Sequence, residues 1–301
     1  MIGTRKISET SRSILITGAT GFIGTQLTEI LQSNPNFTVT TTSKNSKPKV
    51  VNQHYFVNLM DPIETLNLIQ NVRPKILIHL AWIATPNEYA NSNLNQQWLT
   101  STKHLFQEFV NHGGQQIIIA GSCAEYKQNK DGIPLTELSE LRNDNNFSKS
   151  KNELLDYIRQ LAQQSNLLFV WLRFFYLYGK GEPEEKLCSR ILKSLQNGSE
   201  LEIRSPNSLI DFIHIGDAVQ FIYRSLDVQK SLVCNVGTGV GIKVRNLVDA
   251  IRQIYPDKLP VKFGAEDSIE LVSDNTFLES VFGKHKFVRV EEYLSQRIGK
   301  L

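Results

Sequence analysis

Ile14-Leu15-Ile16-Thr17-Gly18-Ala19-Thr20-Gly21-Phe22-Ile23-Gly24 reads as a short aliphatic strand, a turn punctuated by three glycines, and the first residues of a helix. Each glycine has its own reason. Gly18 permits the tight turn, Gly21 lets the backbone come close to a pyrophosphate, and Gly24 lets the helix lie against the strand. N–H groups at the start of such a helix face phosphates, so Gly18, Gly21 and Gly24 are assigned to the pyrophosphate, and Thr20, Phe22 and Ile23 are counted with them as cofactor-binding. A glycine triplet alone says little. Here it follows the first strand and opens an amphipathic helix at the head of an alternating series, which points to a dinucleotide site.

The series continues outward from that turn. Aliphatic runs at Phe37 to Thr41, Lys75 to Leu80, Gln116 to Ala120 and Leu167 to Leu172 read as buried strands. Between them, Leu94, Trp98, Leu99, Thr102, Leu105, Phe106 and Phe109 share one helical face, as do Leu154, Leu155, Ile158, Leu161 and Ala162. Regular strand–helix alternation predicts an α/β chain: a Rossmann, doubly wound parallel sheet with a smaller C-terminal lobe. Residues 1–178 are expected to form the dinucleotide-binding domain, with its sheet completed by about 209–236, where Leu232 to Val236 is a further strand. Residues 179–208 and 237–301 are expected to form the substrate-binding lobe, beginning with a helix at ~185–196 and capping a cleft at the strand ends.

Composition agrees. The 301 residues are 41% hydrophobic and 21% charged, enough for a sizeable core, and 33 basic against 30 acidic residues leave no excess that would mark a nucleic-acid or membrane surface. Three widely spaced cysteines give neither a disulfide framework nor zinc spacing, and Met1 to Ser13 lacks the apolar core of a signal peptide, so a cytoplasmic protein is expected. Asn-, Ser- and Lys-rich patches at 43–49 and 127–132 read as exposed loops. His54, His104, His112, His214 and His285 have no metal spacing, and no metal is expected.

The Gly-x-x-Gly-x-x-Gly spacing closely resembles that of the extended short-chain dehydrogenases/reductases, the NAD(P)-dependent sugar-nucleotide epimerases, dehydratases and ketoreductases. His79-Leu80-Ala81 resembles the family's fourth-strand segment beneath the nicotinamide ribose, and Gly121-Ser122 through Tyr126 its catalytic-serine segment. Arg173 to Gly179, Asp211 to Asp217 and Asn235 to Gly239 resemble three further family segments, in the family's order. The resemblance implies cofactor contacts at Leu80, Ala81, Trp82, Lys151 and Phe174, with Asn58 and Leu59 beside the adenine. It also implies a homodimer, paired through the helices at ~94–112 and ~147–164.

At the end of the second strand, where NAD-binding proteins carry an acidic residue for the ribose 2′-hydroxyl, this chain has Thr42-Ser43-Lys44 and nearby Lys47. Hydroxyl and ammonium groups suit a 2′-phosphate, so Ser43 and Lys44 point to NADP over NAD.

Catalysis in the resembled family uses a Tyr-x-x-x-Lys helix and a Ser or Thr hydroxyl. Lys151 matches the lysine and Ser122 the hydroxyl, but the tyrosine position is Phe147, which carries no proton to transfer. Three readings stay open. Another donor replaces the tyrosine (Tyr126, Tyr176, Tyr89 or a water held by Ser122); or the protein binds its ligands and turns over little, as a sensor or regulatory subunit would; or the helix register differs. Tyr126-x-x-x-Lys130 has the literal spacing but enters a polar loop. The first reading is favoured.

Cys123 and Ala124 stand where dehydratases of this kind carry Asp-Glu, and Glu125 falls one place late, which disfavours dehydration. Cys123 is also one residue out of register with the cysteine of the double-site epimerases and reads as a packing residue beside the substrate. Tyr176 and Phe147 line the expected substrate site, and Lys186 or Arg190 is placed to meet substrate phosphates that Ile210, standing where the family often has Arg, does not. The expectation is an NADP(H)-dependent ketoreductase or epimerase acting on a nucleotide-activated sugar.

Overall fold

The computed structural model describes residues 12–83, 85, 88–128, 132–255 and 259–299. The polar N-terminal stretch before Arg12 and Lys130 of the Tyr126–Lys130 pair lie outside them.

Strand and helix alternate from the start: β1 (Arg12–Thr17), α1 (Phe22–Ser33), β2 (Phe37–Ser43), β3 (Gln53–Phe56), α2 (Pro62–Val72), β4 (Ile76–His79), α3 (Leu94–Asn111), β5 (Gln116–Ser122), α4 (Asn146–Gln164) and β6 (Leu168–Phe174). The second half carries β7 (Tyr176–Tyr178), α5 (Leu187–Asn197), β8 (Leu201–Ile203), β9 (Leu209–His214), α6 (Ile215–Ser225), β10 (Leu232–Val236) and β11 (Gly241–Lys243). It ends with α7 (Val244–Ile254), β12 (Val261–Phe263), β13 (Glu270–Leu271), α8 (Thr276–Phe282) and α9 (Val290–Ile298).

A seven-stranded sheet runs β10-β6-β5-β4-β1-β2-β3, and the pairs β4·β5, β1·β4, β1·β2 and β2·β3 are parallel. The order reverses at β1, as in a doubly wound sheet. Ile14, Leu15, Ile16, Leu77, Ile78, Ile117 and Ile119 are all but fully buried, the pattern of parallel strands covered on both faces. Local chemistry sets the helix ends. Asp61 caps α2 by accepting from the Ile63 and Glu64 N–H groups with Pro62 at the first turn, and Asn145 caps α4 by accepting from Ser148 N–H. Leu94, expected on the buried face of α3, is exposed; the buried asparagine next to it, Asn95, takes the inward position.

By contact the chain divides into two units. One comprises residues 1–120, 144–171 and 222–232, and the other 121–143, 172–221 and 233–301. The boundaries therefore fall elsewhere than the expected break at 178. β10 joins the large sheet as expected, but β9 does not: it centres a second sheet, antiparallel to β11 and parallel to β13 and β7. Ile210 and Phe212 of β9 belong to a separate core with Cys188, Ile191, Leu247, Val248 and Leu294. A short aliphatic strand reads alike in either sheet, and only the packing of α5, α7 and α9 assigns it to this one.

Candidate functional site

In the first unit the glycine turn is built as its sequence requires. Gly18 has φ 67°, and a Cβ there would lie 2.7 Å from the Ala81 nitrogen and 2.8 Å from the Leu80 carbonyl carbon, so only glycine fits against the end of β4. A Cβ on Gly24 would run into the Gly18 carbonyl oxygen, which fixes how closely α1 packs on the turn. The Gly21 N–H donates to the Gly18 carbonyl (3.0 Å). Gly21 also caps α1 with extended backbone and no side-chain acceptor, so the N–H groups of its first turn are not capped by a side chain. The close packing that the glycines allow and the helix N–H groups left without a side-chain cap fit a dinucleotide pyrophosphate.

Where β2 ends, Thr41 Oγ1 lies 2.8 Å from His54 Nδ1 and Ser43 Oγ 3.2 Å from His54 Nε2, and Ser43 Oγ also donates to the Ser46 carbonyl. Burial, with the nearby Lys47 charge, lowers the His54 pKa. Lys44 is exposed. The Thr42 hydroxyl is buried and has no hydrogen-bond partner. Asn58 Oδ1 accepts weakly from Met60 N–H, its own N–H donates to Glu64 (2.7 Å), and Leu59 is buried.

Beside the turn, His79 is buried between Thr17 Oγ1 (2.9 Å from Nδ1) and Thr102 Oγ1 (3.2 Å from Nε2). Burial first, and the charge of Lys151 second, push its pKa down to about 3, so its ring stays neutral. Lys151, on the first turns of α4, is only 3% exposed. Its ammonium donates to the Ala120 carbonyl (3.0 Å) and stands 4.0 Å from the Trp82 ring centroid and 5.9 Å from that of Phe147. Trp82 is fixed in turn: its Nε1–H donates to Asn95 Oδ1 (2.9 Å) and its rings stack on Trp98. Phe147 lies in the first turn of α4, its backbone N–H bonded to the Ala90 carbonyl (2.9 Å), and the ring of Tyr89 meets its ring edge-to-face at 4.9 Å.

In the second unit, β5 ends at Ser122 and a tight 3₁₀ turn, Cys123–Glu125, follows. Ser122 Oγ accepts from Ala124 N–H (3.1 Å), and Ser122 N–H donates to Glu125 Oε1 (2.8 Å). The other Glu125 oxygen takes the Arg173 guanidinium at 2.6 Å, a fully buried ion pair. Arg173 also donates to the Tyr126 hydroxyl (2.7 Å), which donates to Asn235 Oδ1 (2.7 Å). Tyr126, a candidate proton donor from its sequence, is thereby corrected. It is 1% exposed, burial raises its pKa far above the ordinary phenol, and both sides of its hydroxyl are engaged. Burial, reinforced by Asp211, pushes the Cys123 thiol up to about 12, so Cys123 is a neutral packing group. Phe174 is buried, and Tyr176 packs its ring edge on Phe212. Lys186 is exposed at the cap of α5, near enough for its charge to bear on Cys123. Arg190, by contrast, turns its guanidinium to the Glu202 carbonyl. Asp211 gathers Thr238 N–H and Oγ1, Gly239 N–H and Ser273 N–H and Oγ, which organises the glycine turn after β10.

Two features were missed from the sequence. Glu125 and Arg173 lie 48 positions apart, and each reads alone as ordinary polar sequence. Asn95, the tie between Trp82 and the Tyr89 turn, carries only the signal of an asparagine on a buried helix face. Among the described residues there is no group of His, Cys, Asp or Glu able to hold a metal, and no helix long and apolar enough to cross a membrane.

A model of the NAD dependent epimerase/dehydratase family matches residues 14–237. The UDP-glucose 4-epimerase 3 of Oryza sativa subsp. japonica is 23% identical over 83% of this chain and 78% of its own length. The structure of a UDP-glucose 4-epimerase with UDP-glucose from Thermotoga maritima superposes with a TM-score of 0.83 at 20% identity, covering 95% of this chain and 97% of that one. A UDP-glucose 4-epimerase from Thermus thermophilus in complex with NAD gives 0.81 at 19% identity, covering 95% and 98%. At these identities the structures share the fold.

Proposed function

The chain belongs to the NAD dependent epimerase/dehydratase family of enzymes, and from that premise we propose that it interconverts a nucleotide-activated sugar at a ring carbon, as an NAD-dependent epimerase does. The observation that carries the reading is the buried Lys151 ammonium, held at the end of β5 in the same unit as the glycine cradle. A bound nicotinamide supplies reversible hydride transfer there. Gly18, Gly21 and Gly24 let the backbone approach the pyrophosphate, and α1 turns its first N–H groups to it. Lys151 offers a fixed positive charge to ribose hydroxyls, and the neutral His79 ring adds no second charge beside it. Ser122 spends a lone pair on Ala124 N–H, which leaves its O–H to polarise a sugar oxygen. With Glu125 consumed by Arg173 and Cys123 neutral, neither supplies the acid–base pair that water loss needs.

The nucleotide sugars and NAD named in the related structures support the substrate class and the cofactor. A second reading, net reduction by NADPH, is favoured by one observation: β2 ends without a carboxylate and with exposed Lys44 and Lys47. A homodimer through α3 and α4 and a cytoplasmic setting for the three buried free thiols complete the proposal. Fluorescence titration with NADH and NADPH side by side, followed by UDP-glucose turnover, tests it. NADH preference with interconversion of two epimers supports the epimerase, NADPH preference with consumption of a 4-ketosugar supports the reductase, and failure to bind either nucleotide ends both readings.

A further inference from the structure

We propose that Tyr89 is the acid–base group of this enzyme, carrying the proton of the sugar oxygen whose carbon exchanges hydride; the proposal rests on the redox reading above. Five other phenols are placed elsewhere. Tyr126 is locked between Arg173 and Asn235, Tyr157 donates to the Lys103 carbonyl, Tyr178 to the Val288 carbonyl, and Tyr223 accepts from Asn34. Tyr176 packs on Phe212 in the second unit. Among the described tyrosines, Tyr89 is the one whose ring packs on Phe147, the ring that also lies 5.9 Å from the Lys151 ammonium.

The turn that carries Tyr89 is held from two helices. Fully buried Asn95 of α3 donates through Nδ2 to the carbonyls of Tyr89 (2.6 Å) and Ser92 (2.9 Å) while accepting the Trp82 indole N–H. From α4, Phe147 N–H donates to the Ala90 carbonyl and Asn146 Nδ2 to the Asn91 carbonyl (2.8 Å). Carbonyls 89, 90, 91 and 92 are thus all tied, which fixes the backbone of the turn that carries the phenol. Asn95 also joins that turn to Trp82, the platform under Lys151.

In the oxidative direction the sugar O–H bond breaks and its proton passes to the Tyr89 phenolate. The C–H electron pair leaves as hydride to the oxidised nicotinamide of a dinucleotide, and the carbon–oxygen double bond forms. Reduction returns both, and Phe147 serves as the apolar wall that holds the phenol in place.

The test is Tyr89→Phe, which keeps the ring and every backbone tie. NADH affinity should stay within about threefold while the hydride step on UDP-glucose falls ~10²–10⁴-fold. The wild-type rise of rate with pH should flatten, and the double variant Tyr89→Phe with Phe147→Tyr should regain rate. The assignment is overturned by a Tyr89→Phe rate within about threefold of wild type, or by an equal loss of NADH binding, which would make the turn merely structural. A wild type that neither binds NADH nor turns over a nucleotide sugar overturns the redox reading instead, and is recognised because no rate exists to lose.

Discussion

Lowering the pH from 7.5 to 5 should remove about 2 kcal/mol of stability through His79 alone. In the folded chain its pKa is pushed to about 3, chiefly by burial and then by Lys151, whereas the unfolded imidazole titrates at the ordinary 6.5. Over this interval the folded ring stays neutral and the unfolded ring takes up a proton, so the unfolded state binds more protons and stability falls as pH falls. The contribution is whole above 6.5 and drains progressively toward 3. From 6.5 to 5 is about 1.5 pH units at ~1.4 kcal/mol each, or ~2 kcal/mol. The hydrogen bonds do not forbid protonation, since Thr17 and Thr102 can each accept; the penalty is desolvation and the neighbouring ammonium. Urea denaturation of the wild type and of His79→Gln at both pH values isolates the effect, because all other titrating groups are shared. The wild type should lose ~2 kcal/mol more than the variant, and Lys151→Met should shrink that difference by letting His79 titrate higher. Equal losses in wild type and His79→Gln would refute the reasoning.

Other expectations follow from single contacts. Gly18→Ala forces a Cβ onto the Ala81 nitrogen at positive φ, so NADH fluorescence titration should show at least about a tenfold loss of affinity, with ~2 kcal/mol or more of stability lost in urea. Glu125→Gln keeps the acceptor for Ser122 N–H but leaves the Arg173 charge buried and uncompensated, and should cost ~3–5 kcal/mol by the same assay. Tyr126→Phe deserts Asn235 and Arg173 and should cost ~1–3 kcal/mol with kcat within about threefold, separating it from Tyr89→Phe.

The glycine turn and the strands beside it were legible because their signals are local. A positive-φ glycine, an aliphatic run covered on both faces and a capping asparagine each announce themselves within a few residues. The helix start that carries Phe147 was legible too, from its capping asparagine. What surrounds it was not. That Tyr89 rather than Tyr126 stands against that ring depends on Asn95 and on α4 meeting the 89–92 turn, contacts made between residues roughly 55 positions apart. Tyr126 looked available because a sequence shows a phenol but not the arginine and asparagine that close on it. β3 escaped notice because Gln53–Phe56 has an edge strand's polar faces and no aliphatic run, and β9 was assigned to the wrong sheet because its pairing is set by helices far along the chain.

The route of the chain has a consequence for dissection and recombination. It passes from one unit to the other after residues 120, 143, 171, 221 and 232. No single cut therefore yields either unit whole, and a fragment ending near 178 would carry the 121–143 and 172–178 portions of the second unit while lacking the 222–232 segment of the first. Neither unit is a cassette to be exchanged with a relative's. Specificity in such a chain changes by substitution at individual positions, because its two halves must be inherited, expressed and folded together.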